Sequence, residues 1–98
     1  MLEQRITFKN TQGHGLSARI DLPRGEPVGF VLYAHCFTCS KNFKTSVTLA
    51  RALAEQGFGV LRFDFTGLGE SEGAFADTNF SSNVADLTTA ADWLRDNY

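Results

Sequence analysis

Two short runs, Arg5–Phe8 and Leu16–Leu22, alternate apolar and polar positions in part and are rich in Ile, Thr, Phe and Leu. That period suits strands with one buried face. Between them Asn10-Thr11-Gln12-Gly13-His14-Gly15 is a stretch of turn formers, so a hairpin is expected, with His14 in solvent at its loop. Pro23 and Pro27 then break the pattern, since each fixes φ and removes a backbone donor. Val28–Ala34 is almost wholly apolar, as in a strand covered on both faces within a parallel sheet. Thr45–Gln56 changes to helical spacing, with Val47, Ala50, Leu53 and Ala54 on one side, and Gly57 stands where a helix end favours positive φ. Gly59–Phe65 returns to period two. Leu61, Phe63 and Phe65 share one of its faces; Arg62 and Asp64 share the other, where a local, solvent-exposed ion pair is expected. A glycine-rich loop, 66–73, follows. Residues 82–97 read as a second helix with Val84, Leu87, Ala91 and Leu94 along its apolar side, Ser81 or Ser82 as cap, and Asp86 in the first turn.

The order is hairpin, strand, helix, strand, helix. Two strands joined by a helical crossover predict a right-handed βαβ unit with parallel strands, and hence an α/β class. In such a series the last helix delivers the chain to a further parallel strand. Residues 1–98 are therefore expected to be one partial domain with no second domain. One apolar strand, either Val28–Ala34 or Gly59–Phe65, is left as an open sheet edge able to pair with another chain.

Composition narrows the field. The 98 residues are 43% hydrophobic and 20% charged, ordinary for a globular chain and unlike a disordered one. A net charge of −2 offers no electrostatic footprint for nucleic acid or an anionic membrane. No apolar run is long enough to span a bilayer, and the first residues carry no export signal. Two cysteines do not make a disulfide scaffold, so a cytoplasmic domain is the expectation.

Three landmarks together resemble the first half of an α/β-hydrolase. The apolar strand ends in His35-Cys36-Phe37, similar to the His-Gly-x loop after the third strand of that fold. Asp64-Phe65-Thr66-Gly67-Leu68-Gly69-Glu70-Ser71 matches the D-x-x-G-x-G-x-S signature after its fourth strand, and one helix separates the two. Residues 35–42, 61–73 and 77–87 further resemble bacterial proteins that fuse such a hydrolase, aminopeptidase-like in part, to an OsmC-like redox domain. The resemblance implies a parent that cleaves a small ester or amide through an acyl-enzyme. The chain itself is expected to lack the Gly-x-Ser-x-Gly nucleophile, the acid and the histidine, which the resemblance puts beyond Tyr98, and to be inactive alone. No cofactor is implied.

What the resemblance leaves inside the chain is the oxyanion loop, His35, Cys36 and Phe37. The Phe37 N–H would be the donor, and His35 would lock the loop by bonding a backbone group. Cys36 stands where glycine is common. Asp64, Gly67, Gly69 and Ser71 are expected to build a sharp structural turn, with Asp64 and Ser71 hydrogen-bonded across it. Cys36-Phe37-Thr38-Cys39 is a C-x-x-C between a strand and a helix, which keeps a thiol-redox reading open; no metal site is expected, because a zinc site wants further ligands. Gly67-Leu68-Gly69 lacks the third glycine and the lysine of nucleotide-binding loops. Most of the nine Phe, two Tyr and one Trp are expected in the core, while Phe75 and Phe80 stand where the resemblance implies a substrate cleft. The alternative from another class is an interaction module whose open edge pairs with a second copy.

Overall fold

The computed structural model describes residues 2–34 and 44–98. Strand β1 (Leu2–Lys9) and strand β2 (Gly15–Leu22) form the expected hairpin, antiparallel with Leu2 opposite Leu22 and Lys9 opposite Gly15. Strand β3 (Gly29–Ala34), helix α1 (Lys44–Glu55) and strand β4 (Phe58–Phe63) make a βαβ unit whose strands are parallel, Val31 opposite Val60. A single 3-10 turn at Phe75–Asp77 precedes helix α2 (Phe80–Asn97). The four-stranded mixed sheet runs β1-β2-β4-β3, so β4 is inserted between the hairpin and β3.

Strand alternation divides the chain between two layers. Phe8, Leu16, Ala18, Ile20, Leu61 and Phe63 face α2 and close a core with Ala90, against which Trp93 and Leu94 pack. Phe8 stacks with Trp93 at 5.9 Å between ring centroids, and Phe65 meets Phe63 edge-on at 5.0 Å. On the other face α1 packs over β4 with Ala50 and Ala54 buried, and Ser46 donates to the Tyr33 hydroxyl at 3.2 Å. Gly57, at φ +98°, ends α1 and turns the chain into β4; its N–H donates to Ala54 O and its carbonyl accepts from Val28 N.

Several expectations are corrected here. Val28–Ala34, one of the two strands expected at an edge, is the edge strand β3, but it is not covered on both faces, with Phe30 38% and Val28 74% exposed. Phe30 instead lies across Gly59, where any Cβ would collide with it, and touches Tyr98. Helix α2 starts two residues early. Its cap is Asn79, whose side chain accepts from Ser82 N while Ser82 Oγ accepts from Asn79 N, a reciprocal pair that satisfies two orphan donors. The side it buries is Asp86 and Ala90 with Trp93 half-buried, whereas Val84 and Leu87 are 44% and 37% exposed and Ala91 is exposed. Asp86 thus lies past the first turn, and its carboxylate bonds Thr66 and Asn10 rather than facing the dipole. Arg62 is buried, 1% exposed, and among the described residues its ion pairs cross the sheet to Asp21 and Glu3, not a solvent-exposed pair along its own strand. Phe30, Phe75, Phe80 and Tyr98 lie outside the core.

Candidate functional site

β3 and β4 run the same way, so the segments leaving their carboxyl ends share one end of the sheet, where α/β folds hold ligands. The segment after β3 carries His35, Cys36, Phe37 and Cys39, which lie outside the described residues. The segment after β4 is fully described from Asp64 to Asn79, and the β1–β2 hairpin loop reaches the same end, since Asp64 N donates to Ser17 O.

The turn after β4 is held from inside by Asp64, which is fully buried. Asp64 Oδ2 accepts from Glu70 N at 3.1 Å, and the Asp64 carbonyl accepts from Ser71 Oγ at 2.6 Å. Ser71 Oγ also accepts from Ser17 N at 2.9 Å, tying the turn to β2. Glu72 repeats the tie: its N–H donates to Gly15 O, and its Oε1 accepts from Gly15 N. Gly67 and Gly69 sit at φ +78° and +54°; a Cβ on Gly67 would strike the Phe75 backbone, and one on Gly69 the Asp64 carboxylate. Both glycines are therefore demanded twice, by φ and by close approach.

A second buried carboxylate holds the turn from outside, and the sequence reading did not foresee it. Asp86, 2% exposed, accepts from Thr66 N at 2.8 Å and from Thr66 Oγ1 at 2.6 Å through Oδ2, and from Asn10 Nδ2 at 3.2 Å through Oδ1. Asn10 uses all its capacity: Nδ2 also donates to Thr66 Oγ1, and Oδ1 accepts from Gln12 N and His14 N. Hairpin, turn and helix are thereby locked at one point. A signal was present, because Asp86, Ala90 and Trp93 follow i, i+4, i+7 spacing, which puts a carboxylate on an otherwise apolar face. Beside this junction lies a small niche, about 40 Å³ open to the centre of a water molecule, lined by Asn10, His14, Thr66, Thr78, Ser82 and Asp86. His14 lines it half-buried, not in solvent as expected; among the described residues its Nδ1 has no hydrogen-bond partner, and it packs toward Gly73. Among the described residues no group of three or more His, Cys, Asp or Glu is placed to hold a metal ion.

One run in the chain does spell Gly-x-Ser-x-Gly, Gly69-Glu70-Ser71-Glu72-Gly73, so those letters are not absent as expected. Its geometry is not that of a nucleophile elbow. An elbow serine stands exposed on a strained strand-to-helix turn. Ser71 is half-buried, no non-glycine residue described has positive φ, and its hydroxyl is engaged by Asp64 O and Ser17 N. The serine is a clasp of the turn.

A hairpin leading into a mixed sheet of order β1-β2-β4-β3, helices on both faces and a clamped D-x-x-G-x-G-x-S turn define the N-terminal half of an α/β-hydrolase fold. Within that class, the chain belongs to the X-Pro dipeptidyl-peptidase (S15) family, whose model matches residues 12–98. It is similar to the esterase domain of a Rhodothermus marinus protein, with 48% identity and a TM-score of 0.76 over all of this chain and 37% of that one. It also matches Est1E of Butyrivibrio proteoclasticus, solved with ferulic acid bound, at 25% identity and TM-score 0.85 over 92% of this chain and 36% of that one. The uncharacterized protein RP471 of Rickettsia prowazekii is 32% identical over 96 residues, 95% of this chain. The chain spans 39% of that relative's length. No helix among the described residues is long and apolar enough to cross a membrane.

Proposed function

We propose that this chain is the oxyanion-side part of a serine-type hydrolase acting on ester or amide bonds, with esters preferred. The observation that carries the reading is the doubly clamped turn at the carboxyl ends of the parallel strands. Asp64 from within and Asp86 from α2 immobilise it. Preorganisation of that kind is what transition-state stabilisation requires of a scaffold. The S15 family match supports hydrolysis, and the 48% identity to an esterase domain supports esters over peptides. Est1E, with its bound ferulic acid, is consistent with a carboxylic ester as substrate.

On this reading the Phe37 N–H donates to the oxyanion, while His35 and Cys36 shape its loop. The nucleophile, acid and base come from outside the 98 residues, so this chain does not turn over ester alone. The resemblance to hydrolase/OsmC fusions extends the proposal to a parent with a second, redox domain. The full reading frame, assayed beside the 98-residue chain with p-nitrophenyl acetate and a fluorophosphonate label, tests it. Turnover and serine labelling are expected from the full frame only. Phe37→Pro, which deletes the N–H, is expected to lower kcat about 10²–10³-fold. Serine labelling of the 98-residue chain at Ser71 would overturn the assignment.

Among the described residues no strand covers the outer edge of β3, which favours a second reading for the chain taken alone, association with a second copy. Light scattering across a concentration series tests that reading, and a monomer throughout counts against it.

A further inference from the structure

The charges on the α1 face of the sheet do not balance. Arg5, Arg19 and Arg62 stand in one row across β1, β2 and β4, and the neighbouring row supplies two carboxylates, Glu3 and Asp21. Arg62 takes both at short range, Asp21 at 3.0 Å and Glu3 at 2.5 Å. Arg19 is left with a 3.4 Å contact to the same Glu3, and among the described residues its buried Nε has no hydrogen-bond partner. Arg5 is exposed and enters no ion pair among the described residues. The excess positive charge thus sits where two guanidiniums lie opposite each other on adjacent strands, a pairing that is repulsive until an anion joins them.

The surroundings supply donors rather than acids. On the side of the pair away from the carboxylates the next row is Thr7 opposite Ser17, and among the described residues neither hydroxyl has a partner. The row beyond, Lys9 opposite Gly15, has Glu72 held over Gly15 and adds no net charge. Helix α1 packs on β4 and β2, and β1 is the outer strand, so Arg5 stays open to solvent. A carboxylate offers two coplanar oxygens, which one guanidinium fork already meets. A tetrahedral oxyanion has acceptors outside that plane. It can take both forks and still reach a hydroxyl in the row about 7 Å along the strand.

We propose that Arg5 and Arg19, with Thr7 and Ser17, form a binding site for a phosphate-class oxyanion on the β1–β2 hairpin. The site calls on no residue of the turn after β4 and does not depend on the hydrolase reading. The full-length protein is titrated calorimetrically with inorganic phosphate at an ionic strength fixed by chloride, with phenyl phosphate and succinate run alongside. Saturable phosphate binding is expected, weakened about 10-fold or more by Arg5→Gln and by Arg19→Gln, and less by Thr7→Val. Arg5→Lys, which keeps the charge but loses the planar fork, should recover only part of it. Phenyl phosphate distinguishes a site for the free anion from one for a phosphoryl group carried on a larger molecule.

Phosphate binding that survives both glutamine variants overturns the proposal, as does the absence of any effect beyond that of chloride. Succinate bound as tightly as phosphate overturns the assignment of the ligand class. Without phosphate, Arg5→Gln should hold or raise the melting temperature, because it relieves the arginine row. A lower melting temperature overturns the excess-charge argument on which the site rests.

Discussion

The two faces of the sheet solve the same burial problem with opposite chemistry. Toward α2, Phe8, Leu16, Ala18, Ile20, Leu61 and Phe63 make a dry layer whose stability is area removed from water. Toward α1, the strand register puts Arg5, Arg19 and Arg62 in one row across β1, β2 and β4, and Glu3 opposite Asp21 in the neighbouring row. Like charges directly opposite are destabilising, so each row alone would open the sheet. The diagonals offset this: Arg62 Nε donates to Asp21 Oδ2 at 3.0 Å, and Glu3 accepts from both Arg62 and Arg19. An apolar face tolerates small slips of packing, whereas an ionic face of this kind works in one register only. This charged face acts mainly as a register lock, because a buried pair seldom adds net stability over apolar residues of like volume.

The largest effects should come from breaking either face at its centre. Phe63→Ala is expected to lower unfolding free energy by about 3–5 kcal/mol in urea titration, through lost burial plus a cavity. Arg62→Ala should cost about 3–5 kcal/mol by another route, leaving Asp21 buried without its partner. The double change Arg62→Met with Asp21→Leu separates the two: most of the loss should return, because the orphaned charge is gone. If the double variant is as unstable as Arg62→Ala, the ionic face contributes net stability and the register-lock reading fails.

Smaller effects test the junction between the faces and the site. Asp86→Ala strands the buried Thr66 N–H and should cost about 1–3 kcal/mol, with faster amide exchange at Thr66 and in the hairpin loop. Asn79→Ala removes the α2 cap and should cost about 1 kcal/mol, seen as a lower melting temperature without a change in the hairpin. Asp92→Ala, removing an exposed i,i+3 pair with Arg95, should shift stability by no more than about 0.5 kcal/mol.

Element types were legible because period and punctuation are local. Hairpin, α1, β4 and α2 all follow from spacing of apolar residues and from Asn10–Gly15, Gly57 and the 66–73 loop. The turn residues Asp64, Gly67, Gly69 and Ser71 were readable as a turn because a letter signature covers them. The partners of that turn were not. Asp86 is 20 residues from Thr66 and 76 from Asn10, and no local pattern records which distant donor a carboxylate will meet. The Gly69–Gly73 run shows the same limit from the other side. Its letters spell a nucleophile elbow, and only the bonds of Ser71 to Asp64 and Ser17 reveal a clasp.

Along the chain, then, the amino-acid order dictates where strands and helices form, which positions alternate, and the family signature after β4, since each depends on residues within a few places of one another. Strand order depends on contacts between distant segments. Insertion of β4 between β2 and β3 made Val28–Ala34 the edge and buried Arg62 under α1. It also brought the hairpin loop against the β4 turn, so that Asp86 closes the junction and Val84 and Leu87, the stripe expected inside, face outward. A helix buries whichever side the sheet presents to it, and a polar side chain with three hydrogen bonds can claim that side from an apolar one.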